Sequence, residues 1–298
     1  MIYYKIKKER MHFMEDKELE LQDILEFTTG LEEEELPDLL TMAEDWDTYV
    51  TYLDDEKALI SLDLEVAKVA PVLSYHHLLG IQYAFKNPTE DGFYTEAERE
   101  KLFEIEDRIA AVYKAEAHAK HVATITTGGG RMMYFYAESD EWLAGLVGKI
   151  AHEFSDYDFN YLLEADAPWN FYFNIVYPTL LDMQIIKNRR MIRLMAEQGE
   201  DLTQVREVTH WFFFNNGASR KQASVRMRDG GCEILDDNFF DERVPEYNFG
   251  MRVLIKHNMT QETMLNVTYA LYDFIEKYEG IYDGWNIIPD GDPEKDFV

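Results

Sequence analysis

Gly280-Ile281-Tyr282-Asp283-Gly284-Trp285 joins an amphipathic helix to a last strand and sets how the second half of the chain closes. A glycine where an apolar helical pattern stops marks a helix end. The helix opened by Thr260 and Glu262 is therefore read to stop at Gly280, with a strand over residues 282–288. Working back, strands are expected over 249–257, 232–239 and 208–214, and a helix over 218–228 closed by Gly230-Gly231. From Val208 the order is β-α-β-β-α-β. A further helix over 183–198 precedes it, with Met183, Ile186, Met191, Leu194 and Met195 inward and Gly199 as its stop.

The same order can be read from Tyr75 to Glu164. A strand over 75–85 leads through the turn cluster Asn87-Pro88-Thr89-Glu90-Asp91-Gly92 to a helix that Thr95 and Glu98 open as a capping box and that runs to about Glu116. Its apolar positions Leu102, Ile105, Ile109 and Val112 recur at three and four, which buries one face. Strands over 121–127 and 131–137 follow, joined by Gly128-Gly129-Gly130, then a helix capped by Ser139 and a strand over 157–164. Two strands, 48–53 and 58–66, come before. The expected fold class is α+β: two ferredoxin-like, split βαβ sandwich modules in tandem, each with an antiparallel sheet and helices on one face. The expected division is an acidic arm over 1–44, a first module over 45–178 and a second over 179–298.

Of 298 residues, 58 are acidic and 29 basic, for a net charge of −29. Such a balance repels nucleic acid and anionic membrane and attracts basic partners, so direct binding to nucleic acid is not expected. One cysteine, Cys232, excludes an internal disulfide and fits a reducing compartment. No stretch reaches the roughly 18 apolar residues of a membrane span, and the first residues lack the apolar core of a signal peptide. The expectation is a cytoplasmic protein.

Several clusters invite chemistry. Gly128-Gly129-Gly130 lacks the Lys and Ser or Thr that a phosphate loop needs and reads as a hairpin turn. His118 and His121 could share a face, with His76 and His77 near, yet no third ligand stands at metal spacing. Cys232 with His210 or His257 would pair nucleophile and base, but nothing beside it lowers its pKa. A cleft lined by His121, Arg131, Glu104 and Asp107 would be the place for an enzyme in the first module. No catalytic residue, metal or cofactor is expected. Residues 187–228 hold nine basic side chains against four acidic. These either contact phosphate or pair with the chain's own carboxylates. The run His210-Trp211-Phe212-Phe213-Phe214 reads as a core strand rather than as a base-stacking platform.

Two resemblances add to this reading. Trp46 with Tyr49, Asp91-Gly92, Glu104 to Asp107, Arg131 to Tyr136, Asp166 through Trp169 to Tyr172, and Tyr177-Pro178 resemble the uncharacterised domain of unknown function 695 family over about 45–178. Gly199-Glu200-Asp201-Leu202, the run Val208 to Phe214 and the Gly280 to Trp285 junction resemble the RraB family over roughly 183–290. Members of that family are small acidic bacterial proteins that bind the endoribonuclease RNase E and restrain it.

The RraB resemblance implies regulation by binding a basic protein, an endoribonuclease or its scaffold, and no catalysis. Partner contacts are expected at Asp236, Asp237, Asp241 and Glu242, whose carboxylates would suit arginines, and at Tyr282, Asp283 and Trp285. Each has a purely structural alternative, a solvated hairpin for the first group and a packed helix-to-strand junction for the second. An immunity-type partner of another basic protein is the other binding reading.

Overall fold

The computed structural model describes residues 38–53, 55–241 and 246–287. Most of the acidic arm, Glu242, and the carboxylates Asp290, Asp292, Glu294 and Asp296 fall outside those residues. The chain divides into two compact units, Met1–Tyr177 and Pro178–Val298. Each is α+β with one antiparallel sheet.

The first unit runs β1 (Trp46–Leu53), β2 (Glu56–Asp63), β3 (His77–Ala84), α1 (Glu96–Glu116), β4 (Lys120–Thr127), β5 (Gly130–Ala137), α2 (Leu143–Glu153) and β6 (Phe159–Ala165). Its six-stranded sheet has the order β1-β2-β4-β5-β3-β6. Strand alternation sends Met133, Phe135 and Ala137 to the face covered by α1 and α2, where Ile105, Ile109 and Ile150 meet them. The other face carries Tyr134 and Tyr136 and is also closed. Phe171 stacks on Tyr134 at 3.9 Å, and Trp169 lies flat on Tyr136 at 3.8 Å and 4°. A six-residue π-helix, Phe171–Val176, forms this second cover. Two-sided burial explains why β5 reads as a continuous apolar and aromatic run from Met132 to Ala137.

Local chemistry moves several expected boundaries. The strand expected to reach Val66 stops at Asp63, whose carboxylate accepts the amides of Asp45 and Glu65 at 2.8 and 3.1 Å and turns the chain into a short 3-10 helix, Leu64–Lys68. Thr95 does precede α1, but no capping box forms. The buried Glu98 carboxylate accepts the amides of Lys86 and Asn87 instead, at 2.9 and 3.2 Å. Ser139 caps only the amide of Glu141, and α2 starts later, after Trp142 in a left-handed conformation. Gly128 and Gly129 turn the β4–β5 hairpin with φ of +57° and +78°, the conformation that glycine tolerates best.

The second unit runs α3 (Leu180–Glu197), β7 (Arg206–Phe214), α4 (Gly217–Asp229), β8 (Glu233–Phe240), β9 (Phe249–His257), α5 (Gln261–Glu276) and β10 (Gly280–Ile287). The sheet order is β10-β7-β9-β8. Phe212 and Phe214 of β7, Met251 and Val253 of β9 and Tyr282 of β10 pack with Ala223 and Met227 of α4 and with Leu271 and Ile275 of α5. Helix α3 begins with a capping box between Thr179 and Asp182 that the sequence reading did not identify. Its inward face is also different. Gln184, Ile186, Asn188, Ile192 and Met195 are buried, while Met191 and Leu194 are each 46% exposed.

Candidate protein-binding surface of the second unit

The junction 280–285 is built differently from the sequence reading. Helix α5 ends at Glu276, and the left-handed residue after it is Glu279, with φ of +52°. Gly280 already belongs to β10, where a Cβ would fall 2.8 Å from Ile275 and 2.9 Å from Phe214. It is a close-packing glycine. The register of β10 against β7 then slips between Tyr282 and Gly284: Tyr282 pairs with Phe212, Gly284 with Trp211 and Trp285 with His210. Asp283 is the extra residue of a bulge. In an uninterrupted strand, residues 282 and 285 would point to opposite faces. The bulge puts both on the face packed by helices. Gly284 takes the φ of +120° that the bulge requires.

Each side chain of the motif then has a defined place. Trp285 is half-buried and its indole Nε1 donates to Asn188 Oδ1 of α3 at 2.8 Å. Gln184 donates to the same oxygen, and Asn188 donates to Thr268 of α5, both at 2.8 Å. This buried amide network explains why α3 turns polar residues inward. Asp283 is exposed at the bulge. Tyr282, expected as a contact residue, is 4% exposed and its hydroxyl donates to His210 Nδ1 at 2.8 Å. Burial also holds that hydroxyl well above its ordinary pKa. It is a core residue and cannot face a partner.

His210 continues a directed chain. His257 Nδ1 lies 2.8 Å from the carbonyl oxygen of Asn258, to which its N–H donates. His257 Nε2 is then an acceptor for His210 Nε2–H at 3.1 Å, and His210 Nδ1 accepts the Tyr282 hydroxyl. Burial, with a smaller contribution from nearby His257, pushes the His210 pKa down to about 3. Unfolding restores an ordinary value near 6.5. The unfolded chain therefore binds a proton that the folded one refuses, and stability falls as pH drops from about 6.5 toward 3. His210→Gln removes that term. The stability gap between the natural chain and this variant is expected to shrink by about 2 kcal/mol between about pH 7 and about pH 5. Amide exchange along β7 reads it, and parallel pH profiles would refute it.

The acidic group lies elsewhere. Asp236 and Asp237 are on β8, the opposite edge of the sheet from β10, three strand spacings or about 14 Å away. The two expected contact groups do not form one site. Asp236 pairs with Arg252 at 3.3 Å, and Asp237 with Arg228 at 2.8 Å. The Ser224 hydroxyl also donates to Asp237 and, with Arg228, lowers its carboxyl pKa. Asp241 follows the strand, and its amide bonds the Asn248 carbonyl at 2.9 Å. The alternative reading of the basic stretch as partner to the domain's own carboxylates thus holds for Arg228, and Arg206 likewise pairs with Glu200 at 2.6 Å. Residues 178–287 carry 17 acidic and 13 basic side chains, whereas 1–177 carry 37 and 15. The chain's acidity is concentrated in its first unit.

Alternation also divides the aromatic run. His210, Phe212 and Phe214 face the helices, while Trp211 and Phe213 face the other side with Phe239 and Arg252, whose guanidinium lies 5.2 Å from the Trp211 ring. Cys232 is half-buried beside the helical core, and burial raises its thiol pKa.

Of the cleft imagined in the first unit, His121 and Asp107 line one cavity with Glu106, which pairs with Arg131. Glu104 instead pairs with Lys101 on the surface at 2.8 Å. His76 precedes β3, so strand alternation does not separate it from His77, and their rings lie 4.2 Å apart. Among the described residues no three His, Cys, Asp or Glu side chains come together to hold a metal, and no helix is long and apolar enough to cross a membrane.

No curated protein matches the chain. Residues 44–177 match the family described as Family of unknown function (DUF695), which covers the first unit from the approach to β1 through the π-helix. The chain thus joins a module that matches that family to a second, residues 185–287, that matches Regulator of ribonuclease activity B from within α3 to the end of β10.

Proposed function

We propose that this chain is a non-catalytic regulatory protein that binds an endoribonuclease of the RNase E type and lowers its activity, with the second unit making the contact. The observation that carries this reading is the match to Regulator of ribonuclease activity B over 185–287, which spans the whole described sheet of that unit. A family of that description suggests a regulator of ribonuclease activity. The β-α-β-β-α-β order of both units supports reading each as a split βαβ, ferredoxin-like sandwich.

The contact is assigned to the β10 edge. Asp283 stands out at the bulge, and Glu276 and Glu279 are exposed in the same stretch of chain. Trp285, held by Asn188, fixes the strand beneath them. On the β8 edge Asp236 and Asp237 are already paired with Arg252 and Arg228 of the same unit. The acidic first unit and arm supply long-range attraction to a basic protein, which salt weakens. The setting is a reducing bacterial cytoplasm. The test is the cleavage rate of a purified RNase E-type enzyme titrated with the full chain. A saturable fall is expected, and an unchanged rate would end the proposal.

A further inference from the structure

The first sheet is wider than its helical cover. Helices α1 and α2 pack over the strands from β4 to β6, while the β1–β2 hairpin extends the sheet beyond α1. The overhang leaves a cavity of about 570 Å³ between α1 and the strands β1, β2 and β4. That volume lies in the ordinary range of small-molecule sites.

A line of buried polar groups ends at this cavity. Arg131 donates to Glu106 Oε2, and the Thr124 hydroxyl donates to Glu106 Oε1 at 3.2 Å. Thr124 Oγ1 then accepts from His121 Nε2, 3.0 Å away, which also donates to the Ala123 carbonyl at 3.1 Å. The direction of these bonds fixes the tautomer: His121 carries its proton on Nε2, and Nδ1 is a bare acceptor with no partner in the described protein. The ring is held between Phe135 at 4.8 Å and Trp46 at 4.7 Å. The Trp46 indole is itself pinned by Glu44, 2.8 Å from its Nε1. Two other lining groups, the Asp107 carboxylate and the Ser61 hydroxyl, have no hydrogen-bond or ion-pair partner among the described residues.

We propose that this cavity binds a small neutral molecule combining a flat heteroaromatic ring with N–H and O–H donors, the chemistry of a nucleoside. The half-buried indole offers a flat wall. His121 Nδ1 and Asp107 are acceptors that want ring amines and sugar hydroxyls, and Ser61 can serve either role. Burial holds the His121 pKa down to about 4, so Nδ1 remains an acceptor at neutral pH. The cavity lining holds Glu44, Asp47, Glu106 and Asp107 against Lys114 and Lys120, and residues 45–177 carry 24 acidic and 10 basic side chains, a balance that disfavours a phosphate on the ligand.

The inference is independent of the ribonuclease reading, because its test contains no ribonuclease. Titration calorimetry of the full chain with adenosine, guanosine, cytidine and uridine, each beside its 5′-monophosphate, is the experiment. At least one nucleoside is expected to bind once per chain with Kd below about 1 mM and more tightly than its monophosphate. Asp107→Asn, an exposed change with no expected cost in folding, should weaken it by about tenfold. His121→Phe, which keeps the ring stack and removes Nδ1, should weaken it similarly. Absence of binding by all four nucleosides, equal or tighter binding of the monophosphates, or binding indifferent to both substitutions would overturn the proposal.

Discussion

Lys120→Met is expected to destabilise the first unit by about 3–5 kcal/mol. Asp63 is fully buried, and the Lys120 ammonium, itself buried on β4, lies 2.8 Å from its Oδ2. The partner pair to Glu44 is longer, at 3.3 Å, and Glu44 is half-exposed. Removing the ammonium leaves a carboxylate in the interior with two backbone amides and no counter-charge. Methionine fills much the same volume, so lost packing contributes little. A surface pair such as Lys68 with Glu65, on the neighbouring 3-10 helix, is worth less than about 1 kcal/mol by comparison. Urea unfolding measures the difference. The double variant Lys120→Met with Asp63→Asn, which removes the stranded charge, should recover part of the loss. A Lys120→Met chain as stable as its parent would show that the pair carries no net stabilisation.

Asp166→Ala should cost the same unit a similar amount, about 3–5 kcal/mol. Asp166 Oδ2 accepts the Tyr136 hydroxyl at 2.6 Å and the Phe171 amide at 2.8 Å, and Oδ1 accepts the Asn170 amide at 2.9 Å. Tyr136 is fully buried, so its hydroxyl has no water to turn to. The same carboxylate thereby starts the segment that covers the second face of the sheet: Trp169 stacks on Tyr136 and donates its indole N–H to the Tyr75 carbonyl at 2.8 Å. Tyr136→Phe removes a single bond and is expected to cost about 1 kcal/mol. Equal losses for the two variants would mean that Asp166 does not organise the cover. The residues Asp166 to Tyr172, quoted above for their resemblance to a family, are thus read as a fold-holding motif.

Much of the element order was legible because periodicity and glycine placement act locally. The helix over Leu102, Ile105, Ile109 and Val112 and the hairpin at Gly128-Gly129 needed no distant partner to be read. Features decided by partners far along the chain were not. Asn188 faces inward because Trp285 and Thr268 wait for it, 97 and 80 residues away. A hydrophobicity pattern therefore put Met191 and Leu194 in its place. Glu98 looked like a capping-box member and serves the amides of residues 86 and 87. The candidate site suffered in the same way. Nothing local shows that Asp283 is an extra residue in its strand, so Tyr282 looked available when it is core. The separation of Asp236 and Asp283 follows from a strand order that no sequence period encodes. The cavity at His121 draws on β1, β2, α1 and β4, four segments whose convergence only the sheet order reveals.

The central proposal is that the second unit restrains a ribonuclease through the β10 edge. The cleavage rate of an RNase E-type endoribonuclease, titrated with the full chain and in parallel with an Asp283→Arg chain, tests it most directly. The natural chain should lower the rate to a plateau, and the charge-reversed chain should need roughly tenfold more protein to reach it. A rate that stays constant through a large excess of the natural chain would contradict the account, as would two identical titration curves for the contact surface assigned here.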